Sequence, residues 1–242
     1  MKIDERFFLE RKEINKGRQA VVYFWEGFAY KVFPETYPHE AIWREMQIQQ
    51  EIARASLPIP KYYATDHPNI IAMEYIDGIP LSERMLNQGY ASGLQDLLDL
   101  QRMVHRVDFL DLPYIDDWLR VELEGSDFPE SIKIQALTFV ELLGRANNLC
   151  HLDFHPLNIL WSGSSYKIVD WVNARLGKPV YDLARTYVIF HEVAAPLADQ
   201  YLSFLQESGE NIDDFNKAVY VMALWRAKEM GKETFSPPNH SS

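Results

Sequence analysis

His151-Leu152-Asp153-Phe154-His155-Pro156-Leu157-Asn158-Ile159-Leu160, followed by Tyr166-Lys167-Ile168-Val169-Asp170-Trp171, is the stretch from which the rest of this 242-residue chain is read. It sets a carboxylate, an amide five residues on, and a second carboxylate twelve residues beyond that, the last at the end of an apolar run. Phosphoryl transfer asks for such a set: one group to orient an attacking hydroxyl and two hard oxygen ligands to hold magnesium on phosphates. Alone, Asp153 would read as a loop carboxylate bonding backbone amides. With Asn158 and Asp170 in register it reads as the group that accepts or orients the hydroxyl proton. Asn158 offers a neutral oxygen and Asp170 a charged one, both suited to magnesium. Trp171 and Val172 beside Asp170 argue against an idle exposed carboxylate, because an unpaired charge in apolar company is costly.

His151, Asp153 and His155 alternate as zinc or iron ligands on a strand would. No further ligands follow at a convincing spacing, however, and Pro156 interrupts the strand at once. His151 is therefore expected to pack under the loop and hold backbone carbonyls, and His155 to lie nearer the phosphates.

Lys31 stands inside the apolar run Phe28-Ala29-Tyr30-Lys31-Val32-Phe33, where a charge must be paired or desolvated. On the third strand of a small lobe it would reach the α- and β-phosphates. Its expected partner is Glu45, which shares a helical stripe with Ala41, Ile48 and Ile52, whereas Glu40 and Glu51 keep more polar company. Gly17, in Gly17-Arg18-Gln19-Ala20, would open a turn over the phosphates. Met73-Glu74-Tyr75-Ile76 would offer backbone groups to an adenine edge.

The order of elements suits this assignment. A strand near Glu13–Lys16 precedes the runs Ala20–Trp25 and Phe28–Phe33, which Glu26-Gly27 joins as a hairpin. A helix is expected from His39 to about Ser56, and strands at Lys61–Ala64 and Ile70–Tyr75. After Ile76-Asp77-Gly78 helical periodicity takes over: Leu94 to about Val107, Pro129–Arg145, Val180 to about Val193, Leu197–Gln206 and Phe215–Met230. One β insert, Ile159–Trp161 and Lys167–Val169, interrupts it. The expected fold is α+β and bilobed: a small antiparallel β-rich lobe over residues 1–77 with one main helix, and a larger, mostly helical lobe over residues 78–242 carrying the catalytic and metal loops and the acceptor site. The tail from Phe235 to Ser242 has no apolar period and is expected to be mobile.

Composition narrows the partners. A net charge of -11 speaks against nucleic acid or an anionic membrane as the main partner and would favour a cationic substrate, although an acidic surface commonly serves only solubility. No apolar run approaches the roughly 20 residues that cross a bilayer, and the polar start Met1–Arg6 does not read as a signal peptide. The single cysteine, Cys150, excludes an intrachain disulfide, suits a cytoplasmic location and is expected to be buried.

With these residues assembled, the chain resembles the aminoglycoside phosphotransferase and choline kinase family, the small-molecule relatives of protein kinases. The resemblance runs from about residue 14 to 190 through Lys31 and Glu45, the segment Met73–Gly78, His151–Asn158, Ile168–Trp171 and Gly177–Arg185. The form His-x-Asp-x-His-Pro-x-Asn, and Asp-Trp in place of Asp-Phe-Gly, are more typical of this family than of protein kinases, which carry Arg at the position of Leu152. The resemblance implies a protein-kinase-like fold, ATP or GTP as donor, Mg2+, and transfer to a hydroxyl of a small, often cationic acceptor by a monomer or homodimer. It makes Asp153 the catalytic aspartate, Asn158 and Asp170 the metal ligands, Lys31 the phosphate lysine held by Glu45, and Asp182 a brace for the catalytic loop. Two residues depart from the family: Leu152 replaces the usual glycine before the catalytic Asp, and Lys178 the acidic residue of Gly-Asp-Pro. Rival readings are a nucleotide-binding scaffold without turnover and a protein kinase. Against the latter, no Ala-Pro-Glu segment follows Asp170. Glu122, Glu124, Asp127, Asp213 and Asp214, read as loop or helix-end residues, are candidates to receive a cationic acceptor.

Overall fold

A computed structural model describes residues 1–232; the tail Phe235–Ser242 lies outside the described residues. In chain order the elements begin with α1 (Glu5–Glu10), β1 (Lys12–Lys16), β2 (Val21–Trp25), β3 (Phe28–Val32), α2 (His39–Ile52), β4 (Tyr62–Ala64), β5 (Ile70–Glu74), β6 (Ile79–Pro80) and α3 (Leu81–Leu86). There follow α4 (Gly93–His105), α5 (Ile115–Glu124), α6 (Glu130–Leu143), β7 (Leu149–Cys150), β8 (Ile159–Trp161) and β9 (Tyr166–Ile168). The chain then runs through β10 (Arg175–Leu176), α7 (Pro179–Val193), α8 (Ala195–Glu207) and α9 (Ile212–Glu229). The α+β class expected from the sequence is the one observed.

Two compact units divide the chain. The first is not one continuous stretch: it joins Met1–Gln88 to Leu157–Val172, and the second comprises Gly89–Pro156 and the chain from Asn173 onward.

The first unit is built on an antiparallel sheet of order β1-β2-β3-β5-β4. Its strands are rich in β-branched and aromatic residues, and alternation gives the sheet two apolar faces. Tyr30, Ile70, Ala72 and Trp25 pack with Phe7 of α1 on one face. Ala20, Phe33 and Ile71 pack with Ile42 of α2 on the other. Lys31 falls between Ala29 and Phe33 in that alternation, so the strand period aims it at the helix-covered face. The β2–β3 hairpin turns at Glu26 and Gly27, both with positive φ (44° and 82°), as a two-residue primed turn requires. A second sheet of order β6-β8-β9 draws the later segment into this unit, Ile79 and Pro80 pairing with Trp161 and Leu160.

The second unit is helical, and α7 is its axis. Every residue from Tyr181 to Phe190 is buried, so this helix has no solvent face and packs on all sides. β7 and β10 pair antiparallel beneath the loop that carries Asp153, and Cys150 in β7 is fully buried, as expected.

Three helices were not legible in the sequence. α1 has six residues and a single buried one, Phe7; Asp4 caps it by accepting from the backbone N–H of Arg6 and Phe7. α3 is as short. In α5 the spacing of Ile115, Leu119 and Leu123 is helical, but the acidic residues between them read as loop. Glu122 and Glu124 therefore lie in the last turn of α5, at a helix end, and the Glu122 carboxylate pairs with Lys228 at 2.7 Å. Helix α2 stops at Ile52, four residues short of the expected Ser56, as the chain turns toward Leu57-Pro58.

Gly78 shows how closely β6 meets β8. A Cβ there would sit 2.8 Å from the Trp161 carbonyl oxygen, a backbone atom that cannot step aside. Gly78→Ala is expected to cost about 1–3 kcal/mol of stability, read by chemical denaturation; a change within experimental error would mean that the strand pair yields freely.

Candidate active site

In the first unit the ammonium of Lys31 is the meeting point. Its Nζ lies 2.8 Å from Glu45 Oε1 on α2 and 3.3 Å from Asp170 Oδ1, 139 residues away in sequence. Burial works to weaken the lysine's hold on its proton. The two carboxylates outweigh it and raise its pKa, so the group stays charged. For Glu45, burial pushes the carboxyl up; Lys31 draws it back only in part, and the nearby Asp170 carboxylate adds to the rise.

Asn158 and Asp170 are brought together by a hairpin. β8 and β9 pair from Ile159↔Ile168 to Trp161↔Tyr166, and at the open end of this ladder the Val169 N–H donates to the Asn158 carbonyl at 2.9 Å. Asp170 is thus two residues beyond the strand rather than at its very end, with φ +63°. Few residues other than glycine adopt that conformation, and such outliers concentrate at functional sites. Trp171 is buried beside it, its indole N–H donating to the Ile168 carbonyl. Both side chains offer hard oxygen, the kind of donor that magnesium takes. No group of three or more His, Cys, Asp or Glu side chains gathers as a metal cage among the described residues.

Gly17 lies in the turn between β1 and β2, its N–H donating to the Ala20 carbonyl at 2.9 Å. Gln19 of that turn accepts from the Tyr37 hydroxyl at 3.1 Å. Met73 and Glu74 still belong to the sheet, and the Glu74 N–H is committed to the Lys61 carbonyl. Tyr75 and Ile76 lie just past the ladder, the Tyr75 ring 4.6 Å from that of Phe24.

The second unit holds Asp153. His155 Nε2 is 3.5 Å from Asp153 Oδ2, so His155 sits beside the carboxylate. Burial pushes the Asp153 carboxyl up. The hydrogen bond and charge of His155, joined by His151 and Arg185, outweigh that and hold it down at about 2. His151 is fully buried and its Nδ1 accepts from the Asp153 N–H at 3.2 Å. The ring supports the loop as expected, here by accepting from a backbone amide.

Two polar rungs hold the loop on either side of Asp153. Asp182, fully buried in the first turn of α7, accepts from the Leu152 N–H at 2.6 Å and faces His105 Nε2 of α4 at 2.8 Å. One turn further along, Thr186 donates to the Phe154 carbonyl at 2.7 Å and accepts from Gln101, whose own carbonyl takes the Tyr201 hydroxyl. Gln101 and His105 are four residues apart on α4, as Asp182 and Thr186 are on α7, so each helix presents both rungs on one face. Sequence reading found Asp182 alone. A buried His and Gln ending an apolar stripe were the available signal for the others. Leu152, at the first rung, has φ +62°, a conformation that glycine adopts most freely, and its side chain is fully buried.

The phosphotransferase enzyme family model matches residues 10–215. No curated protein matches the chain in sequence. Among solved structures, a thermostable mutant of aminoglycoside phosphotransferase APH(4)-Ia is similar with a TM-score of 0.68 at 15% identity, over 94% of this chain and 92% of that one. A choline/ethanolamine kinase family protein from Mesorhizobium loti gives 0.63 at 15% identity, over 91% and 80%. The choline kinase LicA from Streptococcus pneumoniae gives 0.60 at 18%, over 96% and 91%. At such identities these likenesses are of fold. Other APH(4)-Ia structures hold hygromycin B with ADP or with AMP-PNP.

Asp182→Ala would leave the Leu152 N–H and the His105 ring without their buried partner. Its expected cost is about 3 kcal/mol or more, measured by denaturant unfolding. A loss below about 1 kcal/mol would mean that the loop does not depend on this rung.

Proposed function

Since the chain belongs to the phosphotransferase enzyme family, we propose that it transfers the γ-phosphoryl group of ATP, or of GTP, to a hydroxyl of a small acceptor in the presence of magnesium. The observation that carries this reading is Lys31 bridging Glu45 and Asp170, an ammonium fixed where a charge on an apolar sheet face would otherwise be untenable. The nucleotides held by the solved APH(4)-Ia structures support a nucleotide donor, and the hygromycin B beside them supports a small polyhydroxylated acceptor.

In this mechanism Lys31 binds the α- and β-phosphates, and Glu45 keeps its ammonium oriented. Gly17 and its turn cover the phosphates, and backbone groups of the Met73–Ile76 segment meet the adenine edge. Asn158 and Asp170 would hold magnesium, which when bound neutralises charge on the phosphate oxygens. Asp153 receives the acceptor hydroxyl as a hydrogen-bond donor. The hydroxyl oxygen attacks the γ-phosphorus, the bond to the leaving diphosphate breaks, and the proton passes to the Asp153 carboxylate. A carboxyl held at about 2 is a weak proton acceptor. Its main contribution is therefore to align the hydroxyl, with the proton moving late, which suits a loose transition state that asks little of a base. His155 keeps that carboxylate ionised.

The acidic surface, net charge -11, favours a cationic acceptor. Of the acidic residues first considered for it, Glu122 is taken by Lys228, and Asp213 and Asp214 both pair with Lys217. Glu124 and Asp127 remain as candidates.

A phosphoryl-transfer screen over hydroxylated metabolites and aminoglycosides, with labelled ATP, tests the whole reading. Nucleotide binding without transfer to any acceptor, or transfer to generic protein substrates only, would overturn it. Asp153→Asn is expected to retain nucleotide affinity while lowering turnover at least about a hundredfold; near-native turnover would remove Asp153 from its role. Asp170→Ala is expected to abolish the magnesium dependence of nucleotide binding, followed by titration calorimetry with and without the metal. Affinity that still responds to magnesium would take Asp170 out of the ligand set.

A further inference from the structure

Helix α7 is buried all round, yet three polar side chains share one of its faces: Asp182, Arg185 and Thr186. Two of them are accounted for by the rungs that hold Leu152 and Phe154. Arg185 lies between these, and neither rung uses it.

Arg185 is 1% exposed. Its Nη2 donates to Glu229 Oε2 at 2.5 Å, and its guanidinium carbon stands 4.0 Å from the centre of the Trp225 ring, both on α9. Nε and Nη1 are buried and have no hydrogen-bond partner. One carboxylate thus engages one of three guanidinium nitrogens, and Glu229 is itself shared with Arg226 at 3.5 Å. A helix-to-helix tie alone would be served better by an apolar pair, because burying a guanidinium half-bonded is costly. The residue whose charge complements it is Asp153, which the two rungs pin through its neighbours on either side. Each of the two acts on the other electrostatically, Arg185 favouring the Asp153 carboxylate and Asp153 favouring the guanidinium.

We propose that Arg185 is a positioning residue for Asp153, its guanidinium clamped by Trp225 and Glu229 so that a fixed cation steadies the carboxylate that aligns the acceptor hydroxyl. The proposal rests on the role given to Asp153 above. The groups that set the charge of Asp153 are then His155 and His151 on its own loop and Arg185 on α7. Glu229 and Arg226 on α9 act on it through Arg185. The arrangement is rigid on the Arg185 side, since a planar guanidinium stacked on an indole and held by a carboxylate has little freedom to swing.

The test uses the full chain, with steady-state hydrolysis of Mg-ATP (water as acceptor) and NMR titration of the Asp153 carboxyl carbon in protein carrying labelled aspartate, assigned by Asp153→Asn. Arg185→Met should lower kcat about tenfold with KM for ATP held within about twofold, and raise the Asp153 midpoint by about one pH unit. Arg185→Lys, which restores a cation, should recover most of both effects, and Arg185→Gln replaces the Met variant should that one not fold. In an Asp153→Asn background Arg185→Met should cost nothing further. An unmoved Asp153 midpoint overturns the proposal. So does an equal loss of kcat in the Lys and Met variants at unchanged Tm, or a full effect of Arg185→Met where Asp153 is already gone. Near-native hydrolysis by Asp153→Asn alone would instead sink the catalytic reading of Asp153, and the carboxyl titration would then decide by itself whether Arg185 acts on that group.

Discussion

A carboxylate with no access to water must be matched on every side, and Asp182 is such a group. Its two oxygens are met by the Leu152 N–H and the His105 ring, one from the loop and one from α4. That requirement fixes the backbone beside Asp153 more firmly than anything in the loop itself. The second rung, through Thr186 and Gln101, holds the other side. A short segment pinned at both ends by hydrogen bonds from rigid helices has few ways to move, so the side chain between the pins is pre-organised. Positioning of this kind is most of what a phosphoryl-transfer enzyme supplies.

The first unit solves a different problem with the same economy. Strand alternation drives Lys31 into the apolar face beneath α2, and helical periodicity brings Glu45 over it. Neither side chain is tolerable there without the other. The β8–β9 hairpin then carries Asp170 to the same ammonium and folds Asn158 back against Val169. A lysine shared by two carboxylates is held in place and keeps its proton.

How much of this was legible depended on whether the signal was local. Lys31 and Glu45 were visible because each breaks an apolar period in its own segment. The set Asp153, Asn158 and Asp170 was visible because hairpin and loop keep it within eighteen residues. His105 and Gln101 were not, since their partners lie 77 and 85 residues away and a polar residue at the end of an amphipathic helix looks like ordinary surface. Helices α1 and α3 escaped because six residues hold less than two turns, too few for a period to show. Arg185 stood in plain sight within an apolar run, but only the idle nitrogens of its buried guanidinium give it meaning.

The two departures from the family pattern resolve into backbone requirements. At Leu152 the chain needs a left-handed turn, which glycine adopts freely and leucine at a cost of about 1–2 kcal/mol. The leucine side chain is wholly buried, which contributes about 1.5–3 kcal/mol. Burial therefore offsets the strain, and the Leu152 N–H keeps its bond to Asp182. At Lys178 the need is for extended backbone before Pro179, met at φ -68° and ψ 135°. A cation at a helix start opposes the dipole, but Asp182 in the first turn already supplies the negative charge that end favours. The Lys178 carbonyl still receives the Cys150 thiol at 3.5 Å. What both positions preserve is the path of the main chain, into the loop that carries Asp153 at Leu152 and into α7 at Lys178.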